Sequence, residues 1–292
     1  MVNSEIVKST IKNAYKGEVS KRNDSKPTIH ASDMTDFCPR RFALCLENKI
    51  NYHTTTYLGH STALTFDIGR KIQDIVVGRI FKTGKLFGTW YYKCCNVYSY
   101  GEYSIKCPSC EHKSIPKYCD TRLEMPVAGD VSFVGNVDVF IKEGNKIICC
   151  EVKSINKDDY QKITEPLISH KWQTNTYLYL LSHSKTKIFG RSIKDVEKAY
   201  NIAFDKDNAV VIYIPKAAVK DPFDKIYDVT LDRKLFIEVA AKLKTVKKYV
   251  DSGKIPENIY CSSQASVLAR NCQVRKICLG GSDEQNNSSE TE

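Results

Sequence analysis

No stretch of the chain stays apolar for the roughly 20 residues that a bilayer-crossing helix needs. The opening segment, MVNSEIVKSTIKNAYK, has no apolar core of the kind that marks a secretory leader. Both absences lead us to expect a cytoplasmic protein with no membrane partner. No segment recurs at a fixed period, which argues against a solenoid. Acidic residues are the minority charge: 34 Asp and Glu stand against 44 Lys and Arg, for a formal net charge of +10. That balance favours a polyanionic partner such as nucleic acid, although a basic protein without such a partner carries the same charge. A chain of 292 residues is long enough to bury a substantial core, as one large domain or two small ones.

Cysteine, by contrast, is plentiful. In a reducing compartment, 12 cysteines point to metal or cluster ligation before disulfides. One group lies in WYYKCCNVYSYGEYSIKCPSCEHKSIPKYC, where Cys107-Pro-Ser-Cys110 forms a knuckle that can place two thiolates on one tetrahedral Zn²⁺. A second pair must close that site. Cys95 or Cys94 with Cys119 is the expected choice, Cys95 first, and one of the two is spare because adjacent cysteines rarely share one ion; His112 is an alternative to Cys119, and free buried thiols are the plainer reading. The other group is split along the chain: Cys38 early, and Cys261, Cys272 and Cys278 late. Four thiolates so placed could hold a [4Fe–4S] cluster that clamps the C-terminal region onto the N-terminal one, and zinc would use the same ligands. Cys45, Cys149 and Cys150 are expected to be small buried hydrophobes.

The segment VGNVDVFIKEGNKIICCEVKS sets charges into runs that otherwise look like buried strand. Gly144 and Asn145 carry the chemistry of a tight turn, so the segment reads as a hairpin. Counting outward from Glu143 with Lys146 sets Asp138 opposite Glu151, with Lys153 on the same face. Two carboxylates so close repel each other unless a proton or a cation lies between them. A hard divalent cation, Mg²⁺ or Mn²⁺, held by oxygen ligands beside an ammonium, suits that arrangement. A solvated strand face is the bland alternative.

The remaining pattern predicts an α/β core. Apolar positions 64, 68, 72, 75, 76 and 80 have helical spacing, in a helix ending near Thr83-Gly84. Residues 86 to 92 read as strand, and 121 to 134 as the path back to the hairpin. A helix from Asp159 to Ser182, broken near Pro166, a buried strand in NAVVIYIPK and an amphipathic helix in LFIEVAAKLKTVKKYV complete the frame. The expected architecture is a mixed central sheet flanked by helices. Its expected parts are an N-terminal helical region (1–85), a core (86–255) with a cysteine-rich insertion (90–120), a cysteine-bearing C-terminal segment (256–280) and a disordered acidic tail (281–292).

Gly135-Asn136-Val137-Asp138, then Glu151-Val152-Lys153, then Gln173-Thr174-Asn175-Thr176-Tyr177 resemble, in that order, the Asp, Glu-x-Lys and Gln-x-x-x-Tyr motifs of the PD-(D/E)XK nucleases. Flanking Cys38 and the Cys261, Cys272, Cys278 group make the chain similar to the RecB-like members with an iron–sulfur clasp, among them the Cas-four nucleases of CRISPR adaptation and related phage exonucleases. The resemblance covers most of residues 30 to 280. It implies a restriction-endonuclease-like core and a metal-dependent DNA exonuclease acting on single strands or duplex ends, alone or with recombination or integration proteins. A catalytically weak nucleic-acid-binding subunit is the alternative. Asp138, Glu151 and the Val152 carbonyl become ligands of Mg²⁺ or Mn²⁺, Lys153 orients the attacking water, and Gln173 and Tyr177 position Lys153 and the DNA. Where many relatives have Gly-x-x-x-His, this chain has Gly69-Arg70-Lys71-Ile72-Gln73, so Gln73 is expected to offer the metal a carbonyl oxygen. Arg40, Arg41, Arg70 and Lys71 could track the DNA backbone. The cysteine insertion becomes a zinc hairpin near the DNA entrance.

Overall fold

The computed structural model describes residues 19–20, 26–52, 56–57, 60–259, 261, 267–270 and 272–280. The acidic segment 281–292 lies outside them. Pro39 opens helix α1 (Pro39–Glu47), at a position where its missing N–H has no partner to lose, and the Cys38 thiol accepts from Arg41 N there. Helix α2 (His60–Phe81) follows. It buries Val76 and packs Ile72, Val77 and Ile80 on the core, whereas Leu64, Ile68 and Ile75 face outward. The apolar stripe expected from the sequence is therefore split between core and surface.

Two mixed sheets follow where one was expected. Strand β1 (Thr28–His30) begins the smaller. Strands β2 (Leu86–Tyr92), β3 (Val97–Glu102) and β4 (Lys117–Cys119) form one edge of the larger. Residues 121 to 134 are more than a connection: β5 (Thr121–Ala128) and β6 (Val131–Val137) are antiparallel, and β6 pairs parallel with β1. Alternation in β5, with Thr121, Leu123 and Met125 buried and Arg122 and Glu124 half-buried, is the period-two pattern of a strand with one face in the core. Next come β7 (Val139–Glu143), β8 (Lys146–Ile155), helix α3 (Lys157–Lys162) and helix α4 (Ile168–Ser182). The break between α3 and α4 falls at Pro166, as the sequence predicts.

Helix α5 (Ile193–Tyr200) and strand β10 (Ile226–Thr230) were not foreseen; β9 (Ala203–Pro215) was. The larger sheet runs β10-β9-β8-β7-β2-β3, with β4 also on β2, and only β8 and β9 are parallel. Helix α6 (Arg233–Ser252) starts on the Asp232 side chain, which accepts from Lys234 N and Leu235 N, and stops at Gly253 in the left-handed region. Helix α7 (Arg275–Leu279) lies against α1.

Strand β8 is the hinge between two cores. Ile147 and Cys149 pack with α4 residues Tyr177 and Leu178 on one face, and Cys150 and Val152 pack with Val76 and Trp90 on the other. Both cysteines are buried, as expected for small hydrophobes. Glu151 falls on the α4 face by the same alternation.

Candidate active site

Gly144 adopts a φ of 59° in the turn, and pairing counts outward as the sequence predicts, from Glu143 with Lys146 to Val139 with Cys150. One step further would set Asp138 opposite Glu151. Pairing ends there, and Asp138 instead turns to the edge of β8, where its Oδ2 accepts from Val152 N at 2.8 Å. The side chain thus takes the place of a strand partner. Its Oδ1 accepts from Gln73 Nε2 at 3.1 Å, and the same amide nitrogen donates to Asp120 Oδ1 at 3.0 Å. Gln73 reaches the site, but it presents its nitrogen to two carboxylates rather than its oxygen to a cation. The reason is that two acceptors face it.

Three carboxylates, Asp120, Asp138 and Glu151, share this corner. Burial, then the Glu151 charge and then Asp120 hold Asp138 well above the usual carboxylate range. Burial of its inner side and the Glu151 charge push Asp120 up to about 6, while its outward edge meets solvent. Asp120 has no motif in the sequence. Only its position, directly after the Cys119 strand that closes the insertion, could have flagged it.

On the α4 face the polar groups close a ring. Lys153 Nζ lies 2.6 Å from Glu151 Oε1 and donates to Gln173 Oε1 at 3.0 Å. Gln173 Nε2 donates to Tyr177 Oη at 2.6 Å, and that hydroxyl lies 3.0 Å from Glu151 Oε2 and 2.8 Å from the Asn136 carbonyl. Gln173 and Tyr177 are one helical turn apart on α4, which aims both at β8. Burial by itself would lower the Lys153 pKa, but Glu151 and then Asp138 outweigh it and raise the net value. Glu151 is only 2% exposed, so its partners within the ring carry the whole task of satisfying it.

The clasp cysteines come together in part. Charge on Cys261 and Cys278 reaches Cys38, and burial, the larger effect, raises the Cys38 thiol pKa. Arg40 Nε donates to Cys278 Sγ at 3.1 Å and its Nη1 to the Pro256 carbonyl at 2.6 Å. Cys272 lies instead beside Cys45, which is buried and accepts from Gln273 Nε2 at 3.1 Å. Arg41 sits over the Tyr52 ring, 4.8 Å from its centroid. Arg40 and Arg41 are thus engaged inside the fold and not offered to a DNA backbone, while Arg70 and Lys71 are exposed beside Asp67 and Asp74.

In the insertion, the thiols that gather differ by one from those expected to share an ion. Cys94, Cys95, Cys107 and Cys110 gather their sulfurs within 4.8 Å of one another. Cys119 lies apart on β4, its thiol toward the Lys117 carbonyl. Adjacent Cys94 and Cys95 both reach the group because they sit within a turn rather than on a strand, where they would point to opposite faces.

No family model and no curated protein matches the chain. Among solved structures it is similar to the alkaline exonuclease LHK-Exo from Laribacter hongkongensis, at 10% identity and a TM-score of 0.40, over 84% of this chain and 93% of that one. The same enzyme in complex with dAMP matches at 12% identity, with the same score and coverage. The protein SSO0001 matches at 18% identity and a TM-score of 0.37, over 85% of this chain and 87% of that one. No helix among the described residues is long and apolar enough to cross a membrane.

A cleft of about 710 Å³ opens beside Lys153, lined also by Lys162, Lys216, Asn156 and His170. None of these four was singled out in the sequence. His170 Nδ1 lies 2.7 Å from Tyr213 Oη, and burial, then the Lys153 charge, pushes its pKa down to about 4. The imidazole is therefore neutral near pH 7, and the positive charge of the cleft comes from the lysines.

Proposed function

We propose that this protein is a metal-dependent nuclease of the PD-(D/E)XK type, a DNA exonuclease acting on single strands or duplex ends in DNA recombination, repair or processing, alone or with recombination or integration proteins. One observation carries the reading: the Asp120, Asp138 and Glu151 carboxylates converge next to Lys153, which Gln173 and Tyr177 hold in a closed ring. The donor set suits a hard divalent cation, because carboxylates crowded together away from water gain most from a positive ion among them. Asp138, Glu151 and the Val152 carbonyl would hold Mg²⁺ or Mn²⁺, with Asp120 beside them. When bound, such an ion polarises a phosphoryl oxygen and makes a bound water more acidic.

The chain's own residues do the rest. Lys153, whose positive charge Glu151 and Asp138 stabilise against burial, orients the attacking water and stabilises charge that builds on the phosphate. Gln173 fixes the direction of the ammonium, and Tyr177 fixes Gln173. Lys162 and Lys216 line a path for the phosphate backbone beside the reacting centre. Gln73 keeps Asp120 and Asp138 together. Cys38, Cys261 and Cys278 would hold a [4Fe–4S] clasp between the two ends of the fold, with Cys272 moving from its place beside Cys45 as the fourth ligand.

The test is to incubate anaerobically purified protein with end-labelled single- and double-stranded DNA and Mg²⁺ or Mn²⁺, beside Asp138→Ala. Metal-dependent loss of label that vanishes in the variant supports the nuclease. Intact DNA that is nevertheless bound, with every metal tried, overturns it and leaves a nucleic-acid-binding subunit.

A further inference from the structure

We propose that Cys94, Cys95, Cys107 and Cys110 bind one structural zinc ion at the outer end of the β2–β3 hairpin. This site is distinct from the carboxylate site and does not rest on the nuclease reading.

The argument begins with two turns that face each other. Residues 93 to 96 close the β2–β3 hairpin, where Tyr92 pairs with Val97, and Asn96 takes a left-handed φ of 54°. The second turn is Cys107-Pro-Ser-Cys110. It is closed by Glu111 N donating to the Cys107 carbonyl at 2.9 Å, and by Cys107 N donating to the His112 carbonyl at 3.1 Å. A bridge between Lys106 and Lys113 ties its base. Each turn delivers two sulfurs to one place.

Distances choose among the ways four thiols can meet. Cys94 and Cys110 sulfurs lie 3.8 Å apart, and all four fall within 4.8 Å. A disulfide brings its sulfurs to about 2.05 Å. A tetrahedral ion with metal–sulfur bonds of about 2.3 Å has sulfur–sulfur edges of about 3.8 Å. The Cys94–Cys110 edge matches the tetrahedron, and the other sulfurs, all within 4.8 Å, are close enough to complete it. A multi-iron cluster spreads its thiolates around a larger core, so the tightness of the group favours a single ion. Four protein thiolates fill every position of a tetrahedral ion, which makes the site closed and structural rather than catalytic. Binding releases the thiol protons to solvent, and among the borderline metals zinc suits four sulfurs without redox chemistry.

Such an ion would secure more than the turns. Cys107 is buried and packs with Trp90, Tyr92 and Tyr118 in the core beneath α2. Tyr118 lies on β4, and Asp120 follows that strand directly. Zinc in the insertion therefore braces the strand that carries a carboxylate to the candidate active site.

Zinc per chain, measured by elemental analysis on the protein as purified, tests the proposal. Cys94→Ser and Cys107→Ser should each lose one equivalent relative to wild type, whereas Cys119→Ser and Asp138→Ala should lose none. Counting the change keeps the result independent of any metal bound at the clasp. Cys110→His, which keeps a zinc ligand, should retain the equivalent, so misfolding of a serine variant cannot imitate the result. Wild-type zinc that Cys94→Ser leaves unchanged, loss in Cys119→Ser, or iron lost in place of zinc would each overturn the assignment. Because Asp138→Ala retains zinc on this account, a failed nuclease reading leaves the zinc result standing.

Discussion

Lys153 donates to Gln173 Oε1 at 3.0 Å, and Gln173 has one orientation in which it can accept, since its nitrogen is already engaged by Tyr177. A leucine at 173 keeps the bulk and removes both bonds. Gln173→Leu should lower the cleavage rate by about 10- to 100-fold, the range expected for losing a hydrogen bond to a charged group. Single-turnover rates at saturating Mg²⁺ measure this directly. Tyr177→Phe, which leaves Gln173 in place, should cost less. An unchanged rate in Gln173→Leu would show that Lys153 needs no such support.

Asp120 and Asp138 both hold protons more tightly than ordinary carboxylates, Asp120 with a pKa of about 6 against a reference value of 3.8. Within that window the folded chain binds a proton that the unfolded chain has released. Stability of the metal-free protein should therefore fall as pH rises through it. Solvent on the outer edge of Asp120 moderates the fall. Asp120→Asn should flatten the decline in Tm between about pH 4 and 6.5, and Mg²⁺ should raise the wild-type Tm most at the upper end. Calorimetric titration should show Mn²⁺ affinity increasing across the same window, because proton and cation compete for the same oxygens.

Glycine at 135 is there for Tyr177. A β-carbon built at that position would lie 2.8 Å from Tyr177 Cδ1 and 3.0 Å from Leu180 Cδ1, and both side chains are fully buried. Gly135→Ala should destabilise by about 1–3 kcal/mol through overpacking and reduce cleavage by displacing the tyrosine. Gly78, in α2, has nothing within 4 Å of the same construction. Gly78→Ala should stabilise by roughly 0.5–1 kcal/mol, so urea midpoints of the two variants should move in opposite directions.

Lys242 is a buried cation without a carboxylate in its hydrogen bonds. It donates to the Met34 carbonyl at 2.7 Å and lies 4.6 Å from the centre of the Trp172 ring. Lys242→Met would leave that carbonyl only the 3.5 Å bond from Phe37 N, and losing the charged donor should cost about 1–3 kcal/mol by denaturant unfolding. Cleavage by the folded fraction should hold, because the residue braces α6 against the 31–36 turn rather than touching the site.

Legibility in the sequence followed the range of the forces involved. The β7–β8 register was readable because a Gly-Asn turn and strict alternation fix it locally, and Gln173 with Tyr177 because four residues make one helical turn. Asp120 was not readable: it joins Asp138 only through Gln73, from a helix 47 residues earlier. The second sheet depends on β1 meeting β6, a pairing across most of the N-terminal half. One of Cys94 and Cys95 reads as spare because adjacent cysteines rarely share an ion, and the turn at 93–96 brings both to the group.

Arg40 and Cys278 are 238 residues apart along the chain and yet share a hydrogen bond. During synthesis the ribosome makes the first of these long before the second. Helix α1 must therefore wait, only partly covered, until nearly the whole described chain has emerged. Contacts of such long separation are slow to close. The first of the described helices to be made is among the last to be fastened.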